Sequence, residues 1–294
     1  MKKSKKIIPL LAISLFVLSI SLLTAIQSAS ATNAGLLFTP NYHVTGTDPA
    51  GEESYSDSVA NMIMYYFSNY GSNYGWLYNC QDSYATQSAY TSDLNSAQNN
   101  YYNTVVYSKG HEWTWGGSQN HYELIPYNYV QSGDQNGVRD STNVLSNTGS
   151  SNRFSLIWHC GTAMPYPSSS DGLGWQGMPY AFTHNNGMHT DGYGNPDTGT
   201  YVYLGFIWYS PEYKTGTGYG SNDYGAFVTT FYMYLLQYHY SVNQALNSAS
   251  ATTLGYSSFG SAPLHAGMYE GDPQMGYHWS YFDVYGDGNL GIPA

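Results

Sequence analysis

The chain has 294 residues, 42% of them hydrophobic, enough to bury a sizeable core. Only 9% are charged, and 19 acidic residues stand against eight basic ones, a formal net charge of −11. That balance argues against nucleic acid or an anionic lipid surface as a partner, because both are held by basic patches. Hydroxyl and amide side chains and 33 tyrosines take the place of ions, a composition suited to an extracellular surface.

The amino terminus is set apart. Lys2, Lys3, Lys5 and Lys6 precede an almost wholly apolar run over residues 7–26, and Ala29-Ser30-Ala31 supplies small residues for cleavage. Residues 1–31 therefore read as a secretory signal peptide, with an uncleaved membrane anchor as the alternative, since the run is about long enough to span a bilayer. Removing them leaves four basic against 19 acidic residues, a net of −15. Residues 32–294 contain no repeat and no low-complexity linker, and the simplest parse is one secreted domain.

Along that domain, residues 35–39 predict a first strand. Val59, Met62, Ile63, Tyr66 and Phe67 share one helix face, with Ser56 placed to cap it. Residues 75–79 predict a second strand ending at Cys80, and Tyr90, Leu94 and Ala97 mark a weaker helix. The β-branched run from Asn103 stops at Gly110 and His111. A loop over residues 116–137 and a marginal helix over 138–145 lead to the apolar run 154–161, Phe-Ser-Leu-Ile-Trp-His-Cys-Gly, which ends on Cys160. Residues 164–200 read as a long irregular loop, of the kind that is more often functional than idle. Residues 201–208 form the clearest strand. Phe227, Phe231, Tyr234, Leu235 and Tyr238 mark a helix, and Ser241-Val-Asn-Gln244 is a capping box opening another with an apolar stripe of Val242, Ala245, Leu246 and Ala249. Residues 277–285 read as a final strand. Alternating strands and helices imply a mostly parallel sheet with right-handed crossovers.

In such a sheet the working residues lie beyond the carboxyl ends of the strands, where His111 and Cys160 fall. Adjacent strands are about 4.8 Å apart, so an imidazole and a thiol at neighbouring ends can meet, and a nearby histidine is expected to lower the thiol's pKa. That is the minimum for acyl transfer. Isolated histidines and cysteines usually carry no chemistry, and with two cysteines in an exported chain a Cys80–Cys160 disulfide is the competing reading of composition. A zinc site built from His159, Cys160, His184 and His189 is a third. Asp283, Asp287 and Asn289 offer oxygens to a structural calcium, although their spacing fits no full EF-hand loop and a polar turn explains them equally.

Tyr107-Ser-Lys-Gly-His111 and Trp158-His-Cys160-Gly together resemble the two halves of the dyad in caspase-fold cysteine peptidases, the group of caspases, legumains, clostripain and gingipains. The His-to-Cys separation of 49 residues is similar to the roughly 50 of caspases. Gly110-His111-Glu112 with Trp113 and Trp115 is similar in style to gingipain-type enzymes, as are Ser241-Val-x-x-Ala-Leu-x-x-Ala and Val284-Tyr-Gly-Asp-Gly-Asn-Leu. The resemblance implies a three-layer, caspase-like α/β fold. It implies His111 as general acid/base, Cys160 as nucleophile, an oxyanion held by the backbone N–H groups of Glu112 and Cys160, and a peptide or protein substrate with no required cofactor. Its sheet sets the second strand three places from the fourth, about 14 Å away, which implies that Cys160 is a free thiol. Family members usually carry glycine at the position of Glu112, whose backbone angle and negative charge are therefore at issue. Trp208, Glu212 and Asp223 are the expected substrate-binding residues, the two carboxylates serving to accept arginine or lysine. An inactive module of the same fold, binding glycan or peptide through Tyr- and Trp-rich loops, is the alternative of a different class.

Overall fold

A computed structural model describes residues 32–40, 51–114, 121–129, 136–164, 177–185, 200–213, 222–272 and 276–293. The N-terminal segment, Trp115 and His189 lie outside the described residues. Among those described, no helix is long and apolar enough to cross a membrane.

The central sheet has six strands in the order β11-β8-β7-β3-β1-β2. They are β1 (Asn33–Thr39), β2 (Tyr74–Gln81), β3 (Asn103–Lys109), β7 (Asn152–Trp158), β8 (Val202–Phe206) and β11 (Phe282–Gly286). Five run parallel and β11 is antiparallel to β8. Strands buried on both faces read as continuous apolar runs, and β1 and β7 do. Phe154, Leu156 and Trp158 of β7 join the core on one face and Ile157 the core on the other, as a period of two requires.

Helices cover both faces, giving three layers. On one side lie α1 (Glu52–Tyr70), α4 (Tyr224–Leu236) and α5 (Val242–Ala249); on the other lie α2 (Gln87–Asn100) and α3 (Met178–Thr183). Helix α5 carries the capping box expected of it, with Ser241 and Gln244 bonding reciprocally. Helix α2 buries Tyr90, Leu94 and Ala97 as predicted.

Several elements differ from expectation. Helix α1 begins at Glu52, not Ser56; Gly51 leaves the preceding chain in the left-handed region (φ 87°), and Ser56 lies inside the helix with its hydroxyl on Glu52 Oε1. The buried face is Glu52, Ser56, Val59, Ala60, Ile63 and Phe67, while Met62 is exposed. Strand β2 runs on to Gln81, so Cys80 lies within it and not past its end. Residues 116–137 were expected as loop and 138–145 as helix. Instead β4 (Glu112–Thr114), β5 (Tyr122–Leu124) and β6 (Val138–Arg139) form a small antiparallel sheet, and the expected helix is present only as a short π-helix over Asp140–Val144. The tail is split: β9 (Met268–Asp272) and β10 (Gly276–Ser280) pair as a hairpin before β11.

Candidate active site at the carboxyl edge of the sheet

The last paired residues of β3 and β7 are Lys109 and Trp158. His111 and Cys160 each stand two residues beyond that pair, on adjacent parallel strands and past their carboxyl ends. Cys160 is half-buried with its sulfur turned inward. The Ser210 N–H donates to Cys160 Sγ at 3.2 Å, and Ser210 Oγ lies 3.5 Å away. Ser210 follows β8 in a loop with no sequence signature and escaped sequence reasoning. Gly161 turns the chain at φ +63°, with the ring of Tyr122 where a Cβ would be. Its N–H donates to the carbonyl of Trp208 at 2.7 Å, so the expected substrate residue Trp208, half-exposed, is tied to the turn that follows Cys160.

Cys80 is a second free thiol, buried and donating to Asp93 Oδ2 at 2.9 Å. Its strand β2 is three places from β7 in the sheet.

Burial pushes the Cys160 thiol well up, and the Glu112 carboxylate and Glu212 push it further, against the hydrogen bonds from Ser210. Cys160 therefore rests as a protonated thiol, contrary to the thiolate that a neighbouring histidine was expected to produce. Glu112, half-buried with its carboxyl group turned inward, is pushed up to about 7 by burial, opposed by His111 and by hydrogen bonds from its own N–H and from the thiol and N–H of Cys160. Its backbone needs no glycine: it opens β4 in extended conformation and is not among the non-glycine residues with positive φ.

The strand ends are locked from beneath. The fully buried His159 ring has Nδ1 2.8 Å from the His111 carbonyl and Nε2 2.7 Å from Ser108 Oγ. A carbonyl only accepts, so Nδ1 carries the proton and the Ser108 hydroxyl donates to Nε2. Both ring nitrogens are thus committed within the protein, which removes His159 from the zinc reading. Gly110 permits the packing: a Cβ there would stand 2.9 Å from His159 Cε1 and 3.1 Å from Pro40 Cγ.

Lys109 is the buried charge of the site. Its ammonium lies 3.1 Å from Glu52 Oε1, 3.6 Å from Glu212 Oε2 and 4.6 Å from the centre of the Tyr213 ring. Burial pushes it down from the lysine range, with Glu212 and Cys160 pulling it back. Glu52 also accepts the Tyr213 N–H at 2.8 Å, so the first turn of α1, the end of β3 and the loop after β8 meet at one carboxylate. Neither Lys109 nor Glu52 was singled out by sequence reasoning.

The two carboxylates expected to select the substrate have partners within the protein. Glu212 is engaged with Lys109, and Asp223 caps α4 through Ala226 N–H at 2.8 Å while accepting the Tyr55 hydroxyl at 2.6 Å. Asp287 accepts the Asn289 N–H at 2.9 Å in a turn, and Asp283 is pushed up by burial. Among the described residues no group of three or more His, Cys, Asp or Glu is arranged to hold a metal ion.

Two groups make opposite contributions to stability below neutrality. His159 is pushed down to about 3 by burial, so the folded state binds fewer protons than the unfolded one and stability falls as pH drops from about 6.5 toward 3. Glu112 is raised instead, and its contribution is regained as pH drops from about 7 toward 4.5. His159→Gln is expected to flatten the acid limb of the urea-unfolding midpoint against pH, and Glu112→Gln to steepen it. An acid limb that His159→Gln leaves unchanged would assign acid sensitivity elsewhere.

Compared with known proteins, the chain matches no protein-family model and no curated protein. The class is thus carried by fold and site alone: an α/β protein whose mostly parallel six-stranded sheet brings a thiol, an imidazole and a carboxyl group to one edge.

Proposed function

We propose that this protein is a secreted cysteine endopeptidase of caspase-like fold, working through Cys160 and His111. The observation that carries the reading is the parallel register of β3 and β7, which ends at Lys109 and Trp158 and leaves both groups at the same level. The second strand of the sheet lies three places from the fourth, as the caspase-like arrangement implies, and this supports the finer fold assignment.

In the reaction, the Cys160 thiol gives its proton to His111 as the sulfur adds to the scissile carbonyl. The backbone N–H groups of Glu112 and Cys160 stabilise the oxyanion, and His111 passes the proton to the leaving amine as the C–N bond breaks. Water then cleaves the thioester, releasing the acid and restoring the thiol. No step needs a cofactor, and the engaged Glu212 and Asp223 give no support to a preference for basic residues. Secretion rests on the N-terminal apolar segment.

Treatment with p-nitrophenyl acetate tests the chemistry independently of peptide specificity. The expected result is a stoichiometric burst of p-nitrophenolate with the acetyl group on Cys160 by peptide mass spectrometry, lost in His111→Ala. Acetylation indifferent to His111 would reduce Cys160 to an ordinary thiol. That outcome would favour the second reading, a non-catalytic binder of glycan or peptide, which draws on the exposed aromatics Trp113, Trp208, Tyr209 and Trp279.

A further inference from the structure

The end of the sheet opposite Cys160 carries a surface that the dyad does not use. Helix α1 starts at the carboxyl edge, where Glu52 meets Lys109, and runs back over about 28 Å to the amino edge, where Phe67 packs on Tyr74 with ring centres 4.8 Å apart. Helix α4 runs beside it in the same direction. The Tyr55 hydroxyl near the start of α1 donates to Asp223 at the start of α4, and farther along both helices Phe67 meets Tyr232 at 6.0 Å. The two helices therefore end on one surface.

That surface is built from tyrosine. In the last turns of α1 the rings of Tyr65, Tyr66 and Tyr70 touch one another, with centres 5.7, 6.1 and 6.2 Å apart. At the end of α4, Tyr234 lies 5.4 Å from Tyr238 and 5.3 Å from Tyr240, the second pair nearly parallel at 12°. Tyr65 is 49% exposed and Tyr238 50%. Where Gly71 closes α1, a groove of about 350 Å³ opens between the helix end and β2, with Phe67, Tyr74 and Leu77 in its lining and Trp76, 55% exposed, at its side.

Charge, side-chain type and backbone together choose the occupant. Residues 58–81, which contain the end of α1 and all of β2, and residues 224–269, which contain α4 and α5, include no Asp, Glu, Lys or Arg, although the chain has 19 acidic residues elsewhere. An ionic partner finds no counter-charge on these segments, so the face is matched to an uncharged one. Among the described residues, every exposed large hydrophobic side chain is Tyr or Trp except Met62. Each such ring brings a hydroxyl or an N–H with its apolar face, which suits a ligand that is itself apolar on one face and hydroxylated around its rim. The edge strand beside the groove is also broken: Asn33 pairs with Tyr74 and Ala34 with Trp76, which leaves Gly75 as a bulge in β2. A bulged edge offers no regular ladder to a strand from another chain.

We propose that this face is a binding site for a neutral polysaccharide, whose sugar rings stack their C–H faces on the tyrosines and Trp76 while their hydroxyls bond the phenols. Lying a helix length from Cys160, it holds a glycan without covering the carboxyl edge of the sheet.

The test is electrophoresis of the full chain in native gels cast with a soluble β-glucan, an α-glucan, a mannan or a xylan, and with polygalacturonate as the anionic comparison. Retardation by at least one neutral polymer, and none by polygalacturonate, is expected. Trp76→Ala and the pair Tyr65→Ala/Tyr238→Ala should each weaken binding about fivefold or more, the worth of stacked rings, while Tyr65→Phe/Tyr238→Phe loses less than the alanine pair. All three side chains are about half exposed, so unchanged melting temperatures will confirm that the variants fold. No retardation by any of the four neutral polymers, equal retardation by polygalacturonate, or full binding in both alanine variants would overturn the proposal. So would a dimer, seen by light scattering, that Tyr238→Ala dissolves while no glycan retards the protein, because the face would then belong to a second copy of the chain. Cys160→Ala should bind glycan as wild type does, which makes loss of this site and loss of the p-nitrophenyl acetate burst separate results.

Discussion

Replacing Cys160 by alanine is expected to lower hydrolysis of a labelled casein by at least about 10³-fold, to the background left by binding alone. His111→Ala should cost about 10²–10⁴-fold, the usual worth of a positioned proton-transfer group. Cys80→Ala is the internal control. That thiol sits inside β2, bonded to Asp93 and three strands from β7, and its loss should leave turnover unchanged. The three variants separate the alternatives because a binding module would lose almost nothing on Cys160→Ala. Casein hydrolysis that survives in both Cys160→Ala and His111→Ala would remove the dyad altogether.

The second large effect is on stability. Lys109→Met is expected to destabilise the fold by about 3–5 kcal/mol, the cost of leaving a buried carboxylate without its counter-charge. Glu52 is fully buried and has Lys109 at 3.1 Å, and Glu212 is nearly as enclosed. For a chain of this size, such a loss lowers the melting temperature by about 5–10 °C. Adding Glu52→Gln to Lys109→Met should recover part of it, because a neutral amide can still accept the Tyr213 N–H. A drop under about 1 kcal/mol in Lys109→Met would mean that water reaches these charges and that the cluster does not hold the strand ends together.

The large apolar periodicities carried most of the layered fold into view. Strands β1, β3, β7 and β8 announced themselves as β-branched and aromatic runs, and the reciprocal Ser241–Gln244 cap was readable as a motif with a mechanism. What stayed hidden was short or depended on partners far away in sequence. Strands β4 and β5 have three residues each and β6 has two, too few for a period to show. The start of α1 was masked because Glu52 is a charged residue on the buried face, made tolerable only by Lys109 more than fifty positions later. At the site, placing His111 and Cys160 needed only the rule that parallel strands present their carboxyl ends together. The engagement of Glu212 and Asp223, the contact of Ser210 with the sulfur and the raised thiol could not be read, because each is set by tertiary neighbours. Glu112 was visible as a departure from a family-like glycine, yet the burial that raises its carboxyl group is set by tertiary neighbours as well.

The same economy of cations has a consequence for durability. Beyond residue 31 the chain has only Lys109, Arg139, Arg153 and Lys214. Lys214 lies outside the described residues, and the other three stand in strands, each held by side-chain or backbone acceptors: Glu52 and Glu212, Glu123, and Asn103 with Thr200. A trypsin-like protease needs its basic residue extended and free, so each of those three peptide bonds is cleavable only after the local sheet has opened. A protein with so few such bonds is fitted to survive among secreted proteases, and its digestion at Lys109, Arg139 and Arg153 becomes a clock for unfolding.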